Sequence, residues 1–169
     1  MQTIRLATQQ DAAAMPDIER SSGEAFRIIP NLAWIADDKV TSQERHAALI
    51  RLGAAWVSHD ASNEITAFLT AEVREDVLHI WQMSVRSDQQ RKGIGRNLIR
   101  AADNWASANQ LVAMSLTTFR DVPWNAPFYA SCGFQEVDPH FYSVLQSTLE
   151  AERQAGLPIE QRIAMIRLH

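Results

Sequence analysis

The feature that most constrains the fold is a run of three β-rich segments joined by short turns. Residues 54–59, 65–74 and 77–85 are rich in β-branched and aromatic side chains. The connections at 60–63 and 75–76 are short and polar, as they are in β-hairpins. The sequence therefore predicts three consecutive strands that form an antiparallel meander.

The segments on either side of this meander alternate between strand and helix patterns. Before it, residues 3–7 predict a strand, Thr8 caps a helix to about Arg20, and the capping-box sequence at 41–44 opens a helix to about Leu52. After it, helices are predicted at 93–109, 127–132 and 144–154, and strands at 111–118, 134–137 and 162–168. A strand that returns through a helix forms a right-handed crossover, so the last meander strand and the next strand should be parallel.

These elements predict an α/β fold with one mixed, mostly antiparallel sheet of about six to seven strands and helices on both faces. The chain has no internal repeat, low-complexity tract or Pro/Gly/Ser-rich linker. We therefore expect a single domain over residues 1–169.

Composition argues against several classes of function. The chain carries 16 Lys and Arg against 20 Asp and Glu, a net charge of −4, whereas nucleic-acid-binding proteins usually present a basic face. No apolar run approaches the ~20 residues that span a bilayer, and the first residues alternate like a strand rather than a signal peptide, so we expect a cytoplasmic location. Cys132 is the one cysteine, and no Cys/His cluster has zinc spacing, so we expect no metal and a packing role for Cys132.

The segment most informative about chemistry is the polar loop between the third meander strand and the following helix. Gly93 and Gly95 open that helix, and three basic side chains lie around them. The first turn of a helix leaves backbone N–H groups unpaired and carries about half a positive charge, which favours an anion. A dinucleotide fingerprint needs a third glycine where Leu98 stands, and the P-loop motif is absent. The loop is therefore either an anion-binding cradle or a simple tight connection.

Two motifs resemble those of the GNAT acetyltransferase superfamily. The stretch Gln90-Arg91-Lys92-Gly93-Ile94-Gly95 is similar to the family's Arg/Gln-x-x-Gly-x-Gly/Ala loop, at the strand-to-helix junction where the family carries it. Further along, residues 117–134 end in Tyr129-x-x-x-Gly133-Phe134, which resembles the family's second landmark. The resemblance covers residues 54 to 137 and implies an acyltransferase that uses acetyl-CoA and releases CoA.

The resemblance also implies where acetyl-CoA binds. In the family, the fourth and fifth strands splay apart in a V, and here these would be residues 77–85 and 111–118. The pantetheine arm would pair with strand backbone, and the pyrophosphate would lie on the loop amides. The implied cofactor-binding residues are Met83, Ser84, Val85, Gln90, Arg91, Lys92, Gly93, Ile94, Gly95, Arg96 and Asn125. For Asn125 the sequence leaves open a second role, as the cap of the following helix.

Acyl transfer to an amine requires a neutral amine, a stabilised carbonyl oxygen and a proton for the leaving thiolate. The resemblance implies that a strand amide near Met83 supports the carbonyl oxygen and that Tyr129 is the general acid. Packing against the sheet is the alternative role of Tyr129. Many relatives carry a glutamate on the fourth strand where this sequence has Gln82. The candidates for the base are therefore His79, Glu72 and Glu24, or a chain of ordered waters.

The expected acceptor is a primary amine of a small molecule or peptide, acetylated by direct attack in a ternary complex. Phe26 and Trp34 lie in the irregular segment 21–38, where the family usually builds its acceptor site, and core packing is their alternative role. Two other functions stay open: a non-catalytic acyl-CoA-binding sensor, and an acyltransferase with another acyl chain or a hydroxyl acceptor. Subunit pairing is common in the family, so a homodimer is one implied assembly. No nucleic-acid or membrane partner is expected.

Overall fold

A computed structural model describes residues 2–169 of the chain. Seven strands and five α-helices lie in this range, and short 3₁₀ turns join them. The strands are β1 (Thr3–Leu6), β2 (Ala55–His59), β3 (Ile65–Arg74), β4 (Val77–Val85), β5 (Ala113–Phe119), β6 (Gln135–Val137) and β7 (Arg162–Leu168). The helices are α1 (Met15–Gly23), α2 (Gln43–Arg51), α3 (Ile94–Ala108), α4 (Ala126–Ser131) and α5 (Ser143–Gln154).

The strands over residues 2–169 form one mixed sheet in the order β1-β2-β3-β4-β5-β7-β6. This confirms the predicted α/β class and the predicted number of strands. The chain folds into two compact units, residues 2–72 with 82–102 and residues 73–81 with 103–169. No helix among the described residues is long and apolar enough to cross a membrane.

The first unit is built on the antiparallel strands β1, β2 and β3. The turn between β2 and β3 is held by Asp60, whose carboxylate accepts hydrogen bonds from the backbone N–H groups of Ser62 and Glu64. Asn63 takes the left-handed conformation (φ 63°) that such a turn requires. Apolar side chains of the 3₁₀ turn Gln9–Ala13, of α1 and α2, and of these strands form the core: Ala12, Met15, Ile18, Ile50, Ala55, Val57 and Phe68.

The second unit is built on β5, β6 and β7. β5 pairs antiparallel with β7 along its whole length, from Ala113↔Leu168 to Phe119↔Arg162, and β6 pairs with the other edge of β7. β5 lies inside the sheet, between β4 and β7, and its side chains are almost all buried. Leu145 of α5 packs on this sheet, in a cluster with Ala113, Ala164 and Ile166.

β4 and β5 are parallel, as the crossover rule predicts. Their residue pairs run from Val77↔Ala113 to His79↔Ser115 and, among the described residues, end there. Both strands continue beyond this point, β4 to Val85 and β5 to Phe119.

Two predictions at the N-terminal helices were wrong in detail. The first helix is not continuous from Thr8, because a 3₁₀ turn over Gln9–Ala13 precedes α1. The cap of α2 is Ser42, whose hydroxyl accepts from the Arg45 backbone N–H at 3.2 Å. The helix therefore starts one residue later than a capping box over residues 41–44 predicts. The Thr41 side chain is not needed as the cap and makes other contacts.

Candidate active site

The loop between β4 and α3 presents a row of backbone N–H groups. Its backbone enters the left-handed region at Arg91 (φ 60°) and again at Gly93 (φ 81°). Alternation of this kind turns successive N–H groups towards one side and forms a concave anion-binding site. Among residues 2–169, no hydrogen bond involves the N–H groups of residues 91–95. The loop is therefore open and not filled by its own side chains.

Gly93 has a conformational role in this loop. A Cβ built at Gly93 meets no heavy atom within 4 Å, so no neighbouring group excludes a side chain there. Its φ of 81° is instead the constraint, because L-residues other than glycine rarely adopt it. The empty space beside Gly93 leaves the amides accessible to a ligand.

Side chains at the start of the loop fix it to the end of β4. Gln90 Nε2 donates to the Val85 carbonyl at 3.1 Å, so this carbonyl already has one partner within the protein. Lys92 Nζ donates to Gln89 Oε1 at 3.1 Å. The Arg91 side chain is exposed and makes no hydrogen bond or ion pair with any residue in the described range 2–169. Arg91 is thus a free cation at the edge of the amide row.

Asp88, the acidic residue of the loop, is paired with an arginine. The Arg86 guanidinium donates to Asp88 at 2.7 Å and to Glu64 at 2.8 Å. The Arg86 bond to Asp88, together with a second bond from Gln89, lowers the pKa of Asp88 to about 2. Asp88 therefore stays ionised but paired, which limits its repulsion of an anion at the loop.

The motif that contains Tyr129 forms the C-terminal cap of α4. The Gly133 N–H donates to the Ala130 carbonyl at 3.0 Å, and the Phe134 N–H donates to the Tyr129 carbonyl at 3.1 Å. Gly133 has φ 91°, and the rings of Tyr129 and Phe134 are in edge contact at 5.8 Å. This is the Schellman arrangement, in which only glycine fits easily at the left-handed position. The spacing Tyr-x-x-x-Gly-Phe is therefore explained by the backbone of this helix cap, whatever the role of the phenol.

The Tyr129 hydroxyl makes no hydrogen bond with any residue in the described range, although the side chain is buried. Burial is the main cause that raises the pKa of Tyr129, to about 12, and Cys132 adds to it. The phenol is thus fully protonated at neutral pH. A protonated hydroxyl without a partner in the protein can donate to a ligand.

Asn125 precedes α4 but does not cap it. Its side chain makes no capping hydrogen bond, and its backbone (φ −110°, ψ −111°) lies outside the extended region typical of caps. Its Nδ2 is buried and, among the described residues, has no hydrogen-bond partner. The predicted cap role is therefore wrong. A buried amide that lacks an acceptor fits the alternative, contact with a bound ligand, because unpaired buried polar groups are costly.

The loop and the Tyr129 motif both lie within a region that matches one protein family. The family model described as "Acetyltransferase (GNAT) domain" matches residues 51–136, which include both motifs. The chain belongs to the GNAT acetyltransferase family. Acetyl-CoA is the cosubstrate of this family, as the sequence resemblance implied.

Solved GNAT structures share the fold over the whole chain. A PaiA N-acetyltransferase from Thermoplasma acidophilum, solved with coenzyme A, is 14% identical with a TM-score of 0.72, over 100% of this chain and 99% of that one. The ribosomal-protein-S18-alanine N-acetyltransferase from Escherichia coli is 17% identical with a TM-score of 0.71, over 99% of this chain and 94% of that one. At these identities the similarity establishes the fold and leaves the acceptor of this GNAT protein open.

On β4, Gln82 is the residue at which the sequence resemblance implied a glutamate in many relatives. Its Nε2 donates to Ser84 Oγ at 3.4 Å, so both side chains lie on one face of the strand, as the period-two pattern predicts. Its Oε1 is 3.3 Å from the Thr41 hydroxyl. Ser84 is buried, whereas Met83 and Val85 are half-buried. No ionisable group stands at this strand position.

The three predicted base candidates lie in different surroundings. Glu24 is exposed and accepts two hydrogen bonds from Arg27, which lower the pKa of Glu24 and make it a poorer base. His79 is 1% exposed, and its Nδ1 lies 2.9 Å from Ser115 Oγ in the paired part of β4. Its ring also contacts Trp81. Glu72 is half-buried near the end of β3. These surroundings favour structural roles for Glu24 and His79.

Arg27 also organises the segment that the sequence left unassigned. Its guanidinium donates to both Glu24 and Asp37, and so joins the 3₁₀ turns Glu24–Ile28 and Ala33–Asp37. Phe26 lies half-buried in the first turn, and Trp34 is 42% exposed in the second. An aromatic side chain this exposed is available to a ligand.

One polar cluster in the first unit was not predicted from the sequence. It consists of Glu19 from α1, Thr41 before α2, and His46 on α2, together with Gln82. Glu19 lies beside the apolar stripe of α1, where acidic residues are usually solvated, so the local pattern gave no signal. His46 was detectable, because it occupies an apolar position three and four residues before Leu49 and Ile50.

Proposed function

We propose that this GNAT protein is an acetyl-CoA-dependent N-acetyltransferase that acetylates a primary amine by direct attack. The observation that carries the proposal is the row of unbonded N–H groups at residues 91–95, at the start of α3 and beside the free Arg91. Such a row matches a diphosphate, since it offers several donors and the positive end of a helix at one place.

The groups available to acetyl-CoA fit the chemistry of that molecule. The row at 91–95 would hold the diphosphate, and backbone groups of Met83, Ser84 and Val85 would hold the pantetheine arm. The unpaired Asn125 amide would donate to the cofactor. The carbonyl oxygen would take a hydrogen bond from the strand amide near Met83.

Tyr129 is the proposed acid for the leaving sulfur. With its pKa near 12, full proton transfer to a thiolate of pKa ~8.5 is uphill. Tyr129 therefore acts as a hydrogen-bond donor while charge develops on sulfur. As the thiolate takes a proton from the phenol, Tyr129 takes one from the attacking nitrogen, so the phenol ends the step protonated.

The alternative function is a non-catalytic acyl-CoA sensor. The observation in its favour is Gln82, which puts no base at the strand position where many relatives have one. The same binding groups serve both functions, so binding of CoA does not separate them.

The test combines binding with turnover. Calorimetry with CoA measures binding, and thiol release from acetyl-CoA is followed over a panel of 1,4-diaminobutane, glucosamine and short peptides with free N-termini. We expect CoA to bind and thiol to appear with at least one amine. Binding without thiol release for any primary amine favours the sensor, and absence of CoA binding refutes both functions.

The remaining expectations stay predictions. They are a single domain over residues 1–169, a cytoplasmic location, a homodimeric assembly, and an acceptor site that includes Phe26 and Trp34. Transfer of a longer acyl chain or transfer to a hydroxyl is tested by the same assay with other donors and acceptors.

A further inference from the structure

Three acceptor oxygens converge in the first unit beside β4. The Thr41 hydroxyl oxygen lies 3.4 Å from Glu19 Oε1 and 3.3 Å from Gln82 Oε1. The hydroxyl has one proton and can donate to only one of these oxygens at a time. The group is thus rich in acceptors and short of donors, whereas a primary ammonium offers three N–H donors.

Glu19 has no cationic partner of the usual kind. Its side chain is 20% exposed, and no Lys or Arg pairs with it anywhere in the part of the chain that the structure describes. Its Oε2 accepts from the Thr41 backbone N–H at 2.9 Å, which fixes the orientation of the carboxylate. A partly buried carboxylate with a fixed orientation and no Lys or Arg partner among the described residues favours a cationic ligand.

His46 gives a second, independent indication of a ligand. Its side chain is fully buried, and neither ring nitrogen has a hydrogen-bond partner among the described residues. Its Nε2 lies 3.5 Å from Glu19 Oε2, and its ring is in edge contact with Phe68 at 5.0 Å. An apolar residue would fill this place without leaving two polar atoms unpaired, and an unpaired buried polar atom is destabilising. The polar ring is therefore unexplained by packing alone.

We propose that Glu19, Thr41 and Gln82 bind the ammonium group of the acceptor and that Glu19 removes its proton. The inference rests on the proposed acetyltransfer. β4 lacks a carboxylate at Gln82, and Glu19 of α1 supplies one in its place. The two side chains are close because both contact the Thr41 hydroxyl. The preferred acceptor is then a primary amine that is cationic at neutral pH.

The protons balance in this scheme. The ammonium gives one proton to Glu19 Oε1, from which it passes to water. The neutral amine attacks the thioester carbonyl, the C–N bond forms and the C–S bond breaks. The nitrogen loses a second proton, and the CoA thiolate gains one through Tyr129. The products are an amide, free CoA and one released proton.

The decisive variant is Glu19→Gln, which keeps the acceptor for the Thr41 N–H but cannot take a proton. We expect kcat/KM for 1,4-diaminobutane to fall by about 100-fold or more, the usual contribution of a general base. Hydroxylamine is largely neutral at pH 7 and needs no base, so its rate should fall far less. Without acetyl-CoA, 1,4-diaminobutane should raise the Tm of the wild type more than that of Glu19→Gln. Asp17→Asn is the matched control, because Asp17 lies exposed on the same helix and pairs with Arg20.

A rescue variant tests the geometry. Adding Gln82→Glu to Glu19→Gln returns a carboxylate to the other side of Thr41 and should restore much of the lost rate. If Glu19→Gln does not fold, Thr41→Val removes one of the three acceptors and should raise KM for the amine while CoA binding stays unchanged.

Three results would overturn the inference. If Glu19→Gln and Asp17→Asn acetylate cationic amines equally well, Glu19 is not the base, although acetyltransfer stands. If Glu19→Gln lowers the acetylation rate equally for hydroxylamine and for cationic amines, the role of Glu19 is structural. If the wild type binds CoA but acetylates no amine, the proposed function fails together with the inference.

Discussion

Replacing Gly93 by alanine tests whether the loop backbone binds the cofactor, and Gly53 provides a matched control. Both glycines have nearly the same left-handed conformation, with φ 81° at Gly93 and φ 83° at Gly53. A Cβ at either position meets no heavy atom within 4 Å. Gly53 follows α2 and has no proposed part in binding. The two substitutions therefore impose the same backbone strain, and only one of them lies beside the amide row.

The expected magnitudes separate strain from binding. An alanine in the left-handed region costs about 1–2 kcal/mol, so Gly93→Ala and Gly53→Ala should each lower the free energy of unfolding by that amount. Gly93→Ala also places a methyl group beside the amides that would hold the diphosphate, or lets the loop relax out of the binding shape. A loss of about 1.4 kcal/mol in binding raises the Kd for CoA tenfold. Gly53→Ala should leave this Kd unchanged.

The assay pairs urea denaturation with calorimetric titration of CoA on the same protein samples. We expect equal losses of stability in the two variants and weaker CoA binding in Gly93→Ala alone. Equal CoA affinity in the two variants would refute the reasoning, since the loop would then tolerate a side chain where a phosphate should lie. Equal weakening in both would show that affinity follows stability and not the loop.

Two further predictions concern Tyr129. Tyr129→Phe should lower turnover at least ~10-fold with little change in the Kd for CoA, whereas Tyr142→Phe, on an exposed ring, should change neither; unchanged turnover in Tyr129→Phe removes the phenol from the mechanism. The second concerns stability at alkaline pH. The pKa of Tyr129 is raised from 10.0 to about 12 in the folded protein. The contribution of Tyr129 to the free energy of unfolding is therefore fully present below pH ~10 and is lost as the pH rises towards ~12, by roughly 3 kcal/mol in total. Urea denaturation between about pH 9 and pH 11 should therefore show a steeper loss for the wild type and Tyr142→Phe than for Tyr129→Phe, and parallel losses in all three would contradict the burial argument.

The central strands could be predicted from the sequence because local signals agreed with the fold. The bounds of β3, β4 and β7 match the predicted segments 65–74, 77–85 and 162–168. In each of them β-rich composition and flanking turn residues indicated the same structure. The Gly-rich loop was equally visible, because a strand end, two glycines and a helix start occur in a short stretch.

The features that depend on tertiary contacts could not be predicted. The segment 21–38 is held by Arg27, which pairs with Glu24 and with Asp37, ten residues further along the chain, and no local periodicity indicates such a bridge. Asn125 has the residue type of a helix cap, but its backbone conformation prevents that role.

The contact of Glu19 with Thr41 joins residues far apart in sequence and likewise depends on the packing of α1 near β4. A carboxylate on an amphipathic helix gives no sign of such a partner before the fold is known. The sequence therefore identified the groups expected to bind the cofactor better than those expected to bind the acceptor.

The most direct test of the central claim is an amide NMR titration with CoA and, separately, with pantetheine, which lacks the diphosphate. We predict that the backbone N–H resonances of residues 91–95 shift strongly with CoA and hardly at all with pantetheine, because only CoA brings phosphate oxygens to these amides. Resonances of 91–95 that stay in place while CoA binds elsewhere would contradict the account.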